Sequence, residues 1–304
     1  MLNSLFGNIS IFFAIFLLAS LAGMIAERSG MVNIAIEGYM IIGALVFSVF
    51  GFYTNKSGNN QGMQILGMIF AMLAAAAFSL LHSFASIKMK SNHIVSGVAI
   101  NILASGLGLF FITVINGSDF VASNFTRIWF IDAKFFNLYI VIAVAIAVIV
   151  GVYFAFTKTG MRHAACGENP HSVAAAGISV IKYRFIAMTV SAAIAGLAGA
   201  MFVVGRTAGI FRGDTAGWGF LALGIMIVGQ WRTKFIFSAA LVFATLFSFG
   251  EAIGSSIGVG TWFADNKMLI QALPYIISLA VMVVMAKYSK PPKVAGETFD
   301  KSQR

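Results

Sequence analysis

Ile9-Ser-Ile-Phe-Phe-Ala-Ile-Phe-Leu-Leu-Ala-Ser-Leu-Ala-Gly-Met-Ile-Ala26 is an apolar run without a single charged residue. A helix needs about twenty predominantly apolar residues to cross the hydrocarbon core, whereas a barrel strand needs about ten of alternating polarity. The run therefore reads as a membrane-spanning helix. Met1 to Asn8 contain no Lys or Arg, so the basic leader of a cleaved secretory signal is missing and the helix is expected to be retained.

Comparable runs recur at Ile34–Phe52, Ile65–Ile87, Gly97–Ile115, Phe136–Phe156, Phe185–Val204, Trp218–Gly229, Phe235–Gly254 and Ile270–Ala286. Trp218–Gly229 is too short to span alone. Hydrophobic residues make up 60% of the chain and charged residues 10%, against about 25% charged in a soluble domain, so no water-soluble surface can be built from it. The expected fold is all-α, a polytopic transmembrane helix bundle of about eight to ten segments with one or two broken or short helices. Residues 1–290 form this membrane domain and 291–304 a polar, solvated tail, which leaves no room for a soluble catalytic or ATP-binding domain.

Cys166 is the sole cysteine and the four histidines are scattered, so neither an internal disulfide nor a metal site is expected. The net charge of +10 raises the question of nucleic acid, but the excess sits in short connections and at the C-terminus, where it reads as topology and contact with membrane lipid. One set of connections carries Arg28; Lys88 and Lys90; Lys158, Arg162, Lys182 and Arg184; Arg232 and Lys234; and Lys287, Lys290, Lys293, Lys301 and Arg304. The other carries Lys56, Arg127, Lys134, Arg206, Arg212 and Lys267, partly offset by Asp119, Asp132, Asp214 and Asp265. By the positive-inside rule the first set and the C-terminus are cytoplasmic and the N-terminus is outside. The outer loop Asn116–Phe135 mixes charges with Phe120, Phe125, Trp129 and Phe130, as expected of a segment along the membrane interface or under an external partner.

In Ala26-Glu-Arg-Ser-Gly-Met-Val-Asn-Ile-Ala-Ile-Glu-Gly38, Glu27, Arg28, Asn33 and Glu37 interrupt apolar sequence between Gly30 and Gly38. Polar groups at membrane depth are costly unless paired or wet, and a glycine-opened backbone is tolerated where it lines a cavity. The segment is a candidate pathway lining; the competing reading places Glu27 and Arg28 at the interface and Asn33 as glue to a neighbouring helix. Gly38-Tyr-Met-Ile-Ile-Gly43 resembles Gly219-Phe-Leu-Ala-Leu-Gly224, and paired glycine-interrupted segments in two halves suggest an inverted repeat around a transport site. Gly97, Asn101 and Ser105, preceded by Ser96, share a helical face, where Asn101 suits either a solute hydroxyl or close helix packing. Ser191, Ala195 and Gly199 form a packing stripe. Asn33, Glu37, Ser96 and Asn101 are candidate polar contacts for a passing solute, with Tyr39, Trp218 and Phe220 as stacking surfaces.

The stretch 157–183 encodes a short helix with both ends marked. Asn169 can cap it, Pro170 suits the first helical position, and Gly177 can take the left-handed stop. A small capped helix between two membrane spans is suited to seat in the groove of a soluble motor, although an idle interfacial turn has the same signature.

On Glu27-Arg-Ser-Gly-Met-Val-Asn-Ile-Ala-Ile-Glu-Gly38, Val95-Ser-Gly-Val-Ala-Ile-Asn101 and Gly217-Trp-Gly-Phe-Leu-Ala-Leu223, the chain resembles permease subunits of bacterial ABC importers for simple sugars and nucleosides, closest to the nucleoside branch. Gly167, Glu168, Asn169, Pro170, His171, Ala174, Ala175 and Gly177 resemble that family's coupling helix. The resemblance implies a multi-pass protein of the bacterial cell membrane, not itself an enzyme, moving its solute by alternating access. It implies ATP-binding subunits that carry ATP and Mg, a second and often non-identical permease, and an extracytoplasmic substrate-binding lipoprotein. Arg232-Thr-Lys-Phe235 departs from relatives, which usually continue with proline and then glycine. Alternatives are an ABC permease for a ribose-like sugar or a flavin, a proton-coupled secondary transporter using Glu37, and a membrane enzyme, for which the carboxylates lack a partner at useful spacing.

Overall fold

A computed structural model describes residues 2–56, 58, 60–130, 136–255 and 267–299. The chain is helical, with α1 (Leu2–Glu27), α2 (Ile36–Thr54), α3 (Gln64–Ser83), α4 (His93–Asn116), α5 (Leu138–Phe156), α6 (Lys158–Glu168), α7 (Pro170–Ala175), α8 (Val180–Gly205), α9 (Trp218–Val228), α10 (Thr233–Ser255) and α11 (Lys267–Ala286). Among the described residues, seven helices are long and apolar enough to cross a membrane, and Trp218–Val228 and Tyr275–Met285 are shorter apolar helices. The expected Asp132, Lys134, Asp265, Lys301 and Arg304 lie outside the described residues.

A helix that is apolar all round must be covered either by protein or by lipid. α1 takes the first course and is buried along its span, whereas α3, α4 and α5 bury about a third and present Leu73, Ile102, Phe110 and Ile149 outward. Between helices in lipid there is no hydrophobic driving force, so close approach of small residues does the holding. At Gly43 and Gly196 the backbones of α2 and α8 touch: a Cβ on Gly43 would collide with the Gly196 carbonyl. Gly199 meets the Met40 backbone in the same way, so part of the Ser191–Ala195–Gly199 stripe does pack.

The bundle repeats itself upside down. α1 and α8 lie side by side and antiparallel, with Ile11 against Gly205 and the Ser191 hydroxyl donating to Ala22 O at 2.6 Å. α8 packs on α2 and α3 as α1 packs on α9 and α10, and α2 packs on α4 as α9 packs on α11. α5 to α7 join the halves. α9 leads down to the end of α1, where the Trp231 indole N–H donates to Glu27 Oε2. α2 leads to the opposite end, where Asn55 Nδ2 donates to Asn124 O. The first of these ends gathers Arg28, Arg184 and Arg232 and is the basic end.

At the far end the loop after α4 folds over the bundle, pairing Val121–Ala122 with Ile210–Phe211 as two antiparallel strands. Phe125 is buried there and Arg127 reaches Asn8 Oδ1 at 2.8 Å and the Gly205 carbonyl. At the basic end one sequence expectation needs correction and another an addition. The 157–183 connection holds two helices, since Thr157 caps α6 by accepting from Gly160 N at 2.9 Å before α7 begins. The tail is exposed at Lys293, Gly296, Glu297 and Thr298, as a solvated end would be, yet it is also pinned to the bundle: Val294 N donates to Gly167 O, Gly296 N to Gly30 O, and Phe299 lies on the His171 ring.

Candidate functional site

α1 stops at Glu27, and the chain does not become helical again until Ile36. Gly30 turns it through a left-handed conformation, φ +90°. Opposite, α9 opens partway along the bundle behind Gly217, φ +76°, which has no side chain to cap the helix. The first amides of a helix have no intrahelical acceptor and carry its positive dipole end. Glu37, in the first turn of α2, supplies what is missing. Its Oε1 accepts from Thr215 Oγ at 2.7 Å and Gly217 N at 2.9 Å, and its Oε2 accepts from Gly219 N at 2.5 Å. A carboxylate of one interrupted helix thus caps the other, and Glu37 is 5% exposed.

Asn101 spans the break itself, its Oδ1 accepting from Gly38 N at 2.7 Å while its Nδ2 donates to Ile34 O at 2.9 Å. A Cβ on Gly97, one turn earlier on α4, would come within 3.3 Å of both Ile34 and Ala35, so glycine lets α4 lie this close. Asn33 Nδ2 donates to Ser191 Oγ at 2.9 Å. Ser96 is paired elsewhere, with His82 Nδ1 at 2.8 Å, and joins α3 to α4. Glu37 and Asn101 therefore spend their polar capacity within the protein, whereas buried Asn33 Oδ1 and the Tyr39 hydroxyl have no hydrogen-bond partner among the described residues.

The three aromatics separate in the same way. Trp218 is enclosed by Phe12, Phe16, Phe202 and Phe247 at ring-centroid distances of 5.0, 4.6, 5.1 and 5.8 Å, and Tyr39 is fully buried. Phe220, 47% exposed, alone of the three has an open face.

At the basic end the short helix α7 has the caps its sequence calls for. Asn169 accepts from Ser172 N at 3.0 Å, Pro170 occupies the first turn, and Gly177 takes φ +79°. Pro170 and Val173 face inward, while Glu168, Asn169, His171, Ala175 and Gly177 are exposed and Ala174 is half-buried. Gly167 is buried against the Arg28 and Gly30 backbone, which brings α6 to the base of the broken segment. His163 on α6 donates from Nε2 to Ile25 O at 2.8 Å, and burial pulls its pKa down to about 4, so it is neutral. Burial pushes the Cys166 thiol up to about 11. Arg184 ties three segments together, donating from Nε to Ser29 O at 3.2 Å and from Nη1 to Glu297 O at 2.8 Å.

Thr215, Ser191, Arg184 and Trp231 were not among the sequence candidates. Each acts on a segment far away in sequence, and of the four only Ser191 stands in a marked spacing, the stripe with Ala195 and Gly199, which reads as packing.

The chain matches, over residues 5–286, the family described as branched-chain amino acid transport system / permease component. It is 32% identical to the guanosine ABC transporter permease protein NupQ of Bacillus subtilis over 95% of the chain and 93% of that protein. It is 28% identical to the nucleoside ABC transporter permease protein NupC of Lactococcus lactis, over 99% and 98%, and 28% identical to the putative glucose ABC transporter permease protein TsgC13 of Haloferax volcanii, over 88% and 87%. No solved structure matches the chain.

Proposed function

The chain belongs to the family of branched-chain amino acid transport system permease components, and from that premise we propose that it is the membrane subunit of an ABC importer for a nucleoside. The observation that carries the reading is near-full-length likeness to permeases named for guanosine and for nucleosides. A relative named for glucose keeps a sugar as the competing solute.

In this reading the basic end faces the cytoplasm, the N-terminus lies outside, and the exposed side of α7, from Glu168 to Gly177, seats on an ATP-binding subunit that carries ATP and Mg. A second, non-identical permease completes the pathway, and an extracytoplasmic binding lipoprotein delivers the solute. Two helices interrupted within the bundle and joined through Glu37 form the frame that alternating access rearranges. Within it, Glu37 and Asn101 hold the broken ends together. Asn33 Oδ1, the Tyr39 hydroxyl and the open face of Phe220 are the groups left to meet a solute when the bundle opens.

Replacing 168–177 with a flexible linker tests the coupling. The variant inserts normally but loses co-purification with the ATP-binding subunit and loses uptake; normal uptake sinks the assignment. Competition of labelled guanosine uptake by unlabelled nucleosides and by glucose decides the solute, and inhibition by glucose alone overturns the nucleoside.

A further inference from the structure

Between α5 and α10, at the basic end, lies a cavity of about 870 Å³. Its walls are apolar and outward-facing, with Val148 and Val152 from α5 and Phe237 from α10 all exposed. Its mouth carries Arg28, Arg232 and Lys234. Among the described residues none of the three makes an ion pair. Instead the guanidinium carbon of Arg28 lies 4.8 Å from the Phe154 ring centroid and that of Arg232 lies 5.9 Å from the Phe235 ring centroid. Glu168 is the carboxylate whose field reaches Arg28, and the like charge of Arg232 acts against it.

Gathering cations at the edge of a low-dielectric region is costly unless an anion joins them. A nucleoside brings no such charge, and below the mouth the cavity offers it almost nothing to hydrogen-bond. A ligand that is anionic at one end and hydrocarbon along the rest matches both parts. We infer that the groove between α5 and α10 binds an anionic phospholipid, its phosphate held by Arg28, Arg232 and Lys234 and an acyl chain lying on Val148, Val152 and Phe237.

The test uses the full-length protein, purified in detergent and stripped of lipid, with retained lipid read by native mass spectrometry after titration with phosphatidylglycerol or phosphatidylcholine. The wild type retains phosphatidylglycerol at least tenfold better, and R232Q/K234Q abolishes the preference. Gly151→Leu, which keeps every cation and extends from the groove wall beside Thr233, weakens phosphatidylglycerol binding as well. It carries the test if the double variant fails to fold. Equal retention of the two lipids by the wild type overturns the proposal. Displacement by equimolar inorganic phosphate also overturns it, since that identifies a free-anion site. So does loss of every lipid adduct when a second permease copy is bound, since that identifies the groove as a protein interface.

Discussion

The Trp231 indole N–H donates to Glu27 Oε2 at 2.6 Å, closing the basic end of α9 onto the end of α1. The same carboxylate accepts from the backbone N–H of Asn33, so one side chain holds the end of one half of the bundle and the start of the broken segment in the other. Both groups are buried, and a buried hydrogen bond to a carboxylate is expensive to lose.

Trp231→Phe removes the donor and keeps most of the ring volume. It is expected to destabilise the protein by about 1–3 kcal/mol, the range for leaving a buried acceptor without its donor. Thermal unfolding in detergent measures this. A melting temperature equal to that of the wild type would mean that the contact does not hold the two halves.

Acid sensitivity is expected from His163. Folded, its pKa lies near 4, against 6.5 for the free side chain, because burial outweighs the bond to Ile25 O and Arg28 adds a small push in the same direction. Between those values the unfolded chain binds the extra proton, so this contribution to stability is whole above about pH 6.5 and lost as pH falls towards 4. At most it amounts to about 3 kcal/mol. Melting temperatures of wild type and His163→Asn, compared across that range, should converge at the acid end, and parallel curves would remove His163 as the cause.

The tail makes a prediction about coupling. Residues 294–297 bond to Gly167, Gly30 and Arg184, and Phe299 lies against His171 of α7, so the strap joins α7, the proposed coupling helix, to the foot of the broken segment. Truncation after Pro292 removes these bonds, each worth about 1 kcal/mol net. Amide exchange in α6 and α7 is expected to speed up about tenfold or more, and uptake to lose maximal rate without losing apparent affinity. Unchanged exchange would mean that the tail merely rests there.

Much of the architecture was legible because membrane helices must satisfy their backbone internally and so announce themselves as long apolar runs. Asn169, Pro170 and Gly177 declared α7 for a similar reason, since caps are local chemistry. The resemblance to ABC importer permeases, read from the sequence, agrees with the family and with the named relatives. What stayed hidden is long-range. Nothing near Glu37 says that its partners are Thr215, Gly217 and Gly219, because an unaided helix start such as α9 looks in sequence like any Gly-Trp-Gly. The anchoring of the tail stayed hidden too: it is polar, basic and largely exposed, as expected, but it binds through backbone N–H and C=O groups, which composition does not register.

Glu37 separates the ABC reading from a proton-coupled carrier. Its two oxygens accept from three donors, one of them the start of α9, so its role in the frame requires a carboxylate and no proton transfer. In Glu37→Gln one oxygen becomes an NH2 group that must face a donor, at a cost of about 1.5–3 kcal/mol, while Glu37→Ala strands all three donors at about 1–3 kcal/mol each. The Gln variant is expected to fold, with a lower melting temperature and slower ATP-dependent uptake, and the Ala variant to fail assembly. Uptake in wild type and Glu37→Gln should then show pH profiles of the same shape. If instead the substitution flattened a pH dependence present in the wild type, the carboxyl would be titrating during transport, and its place as the fixed cap of α9 would have to be given up.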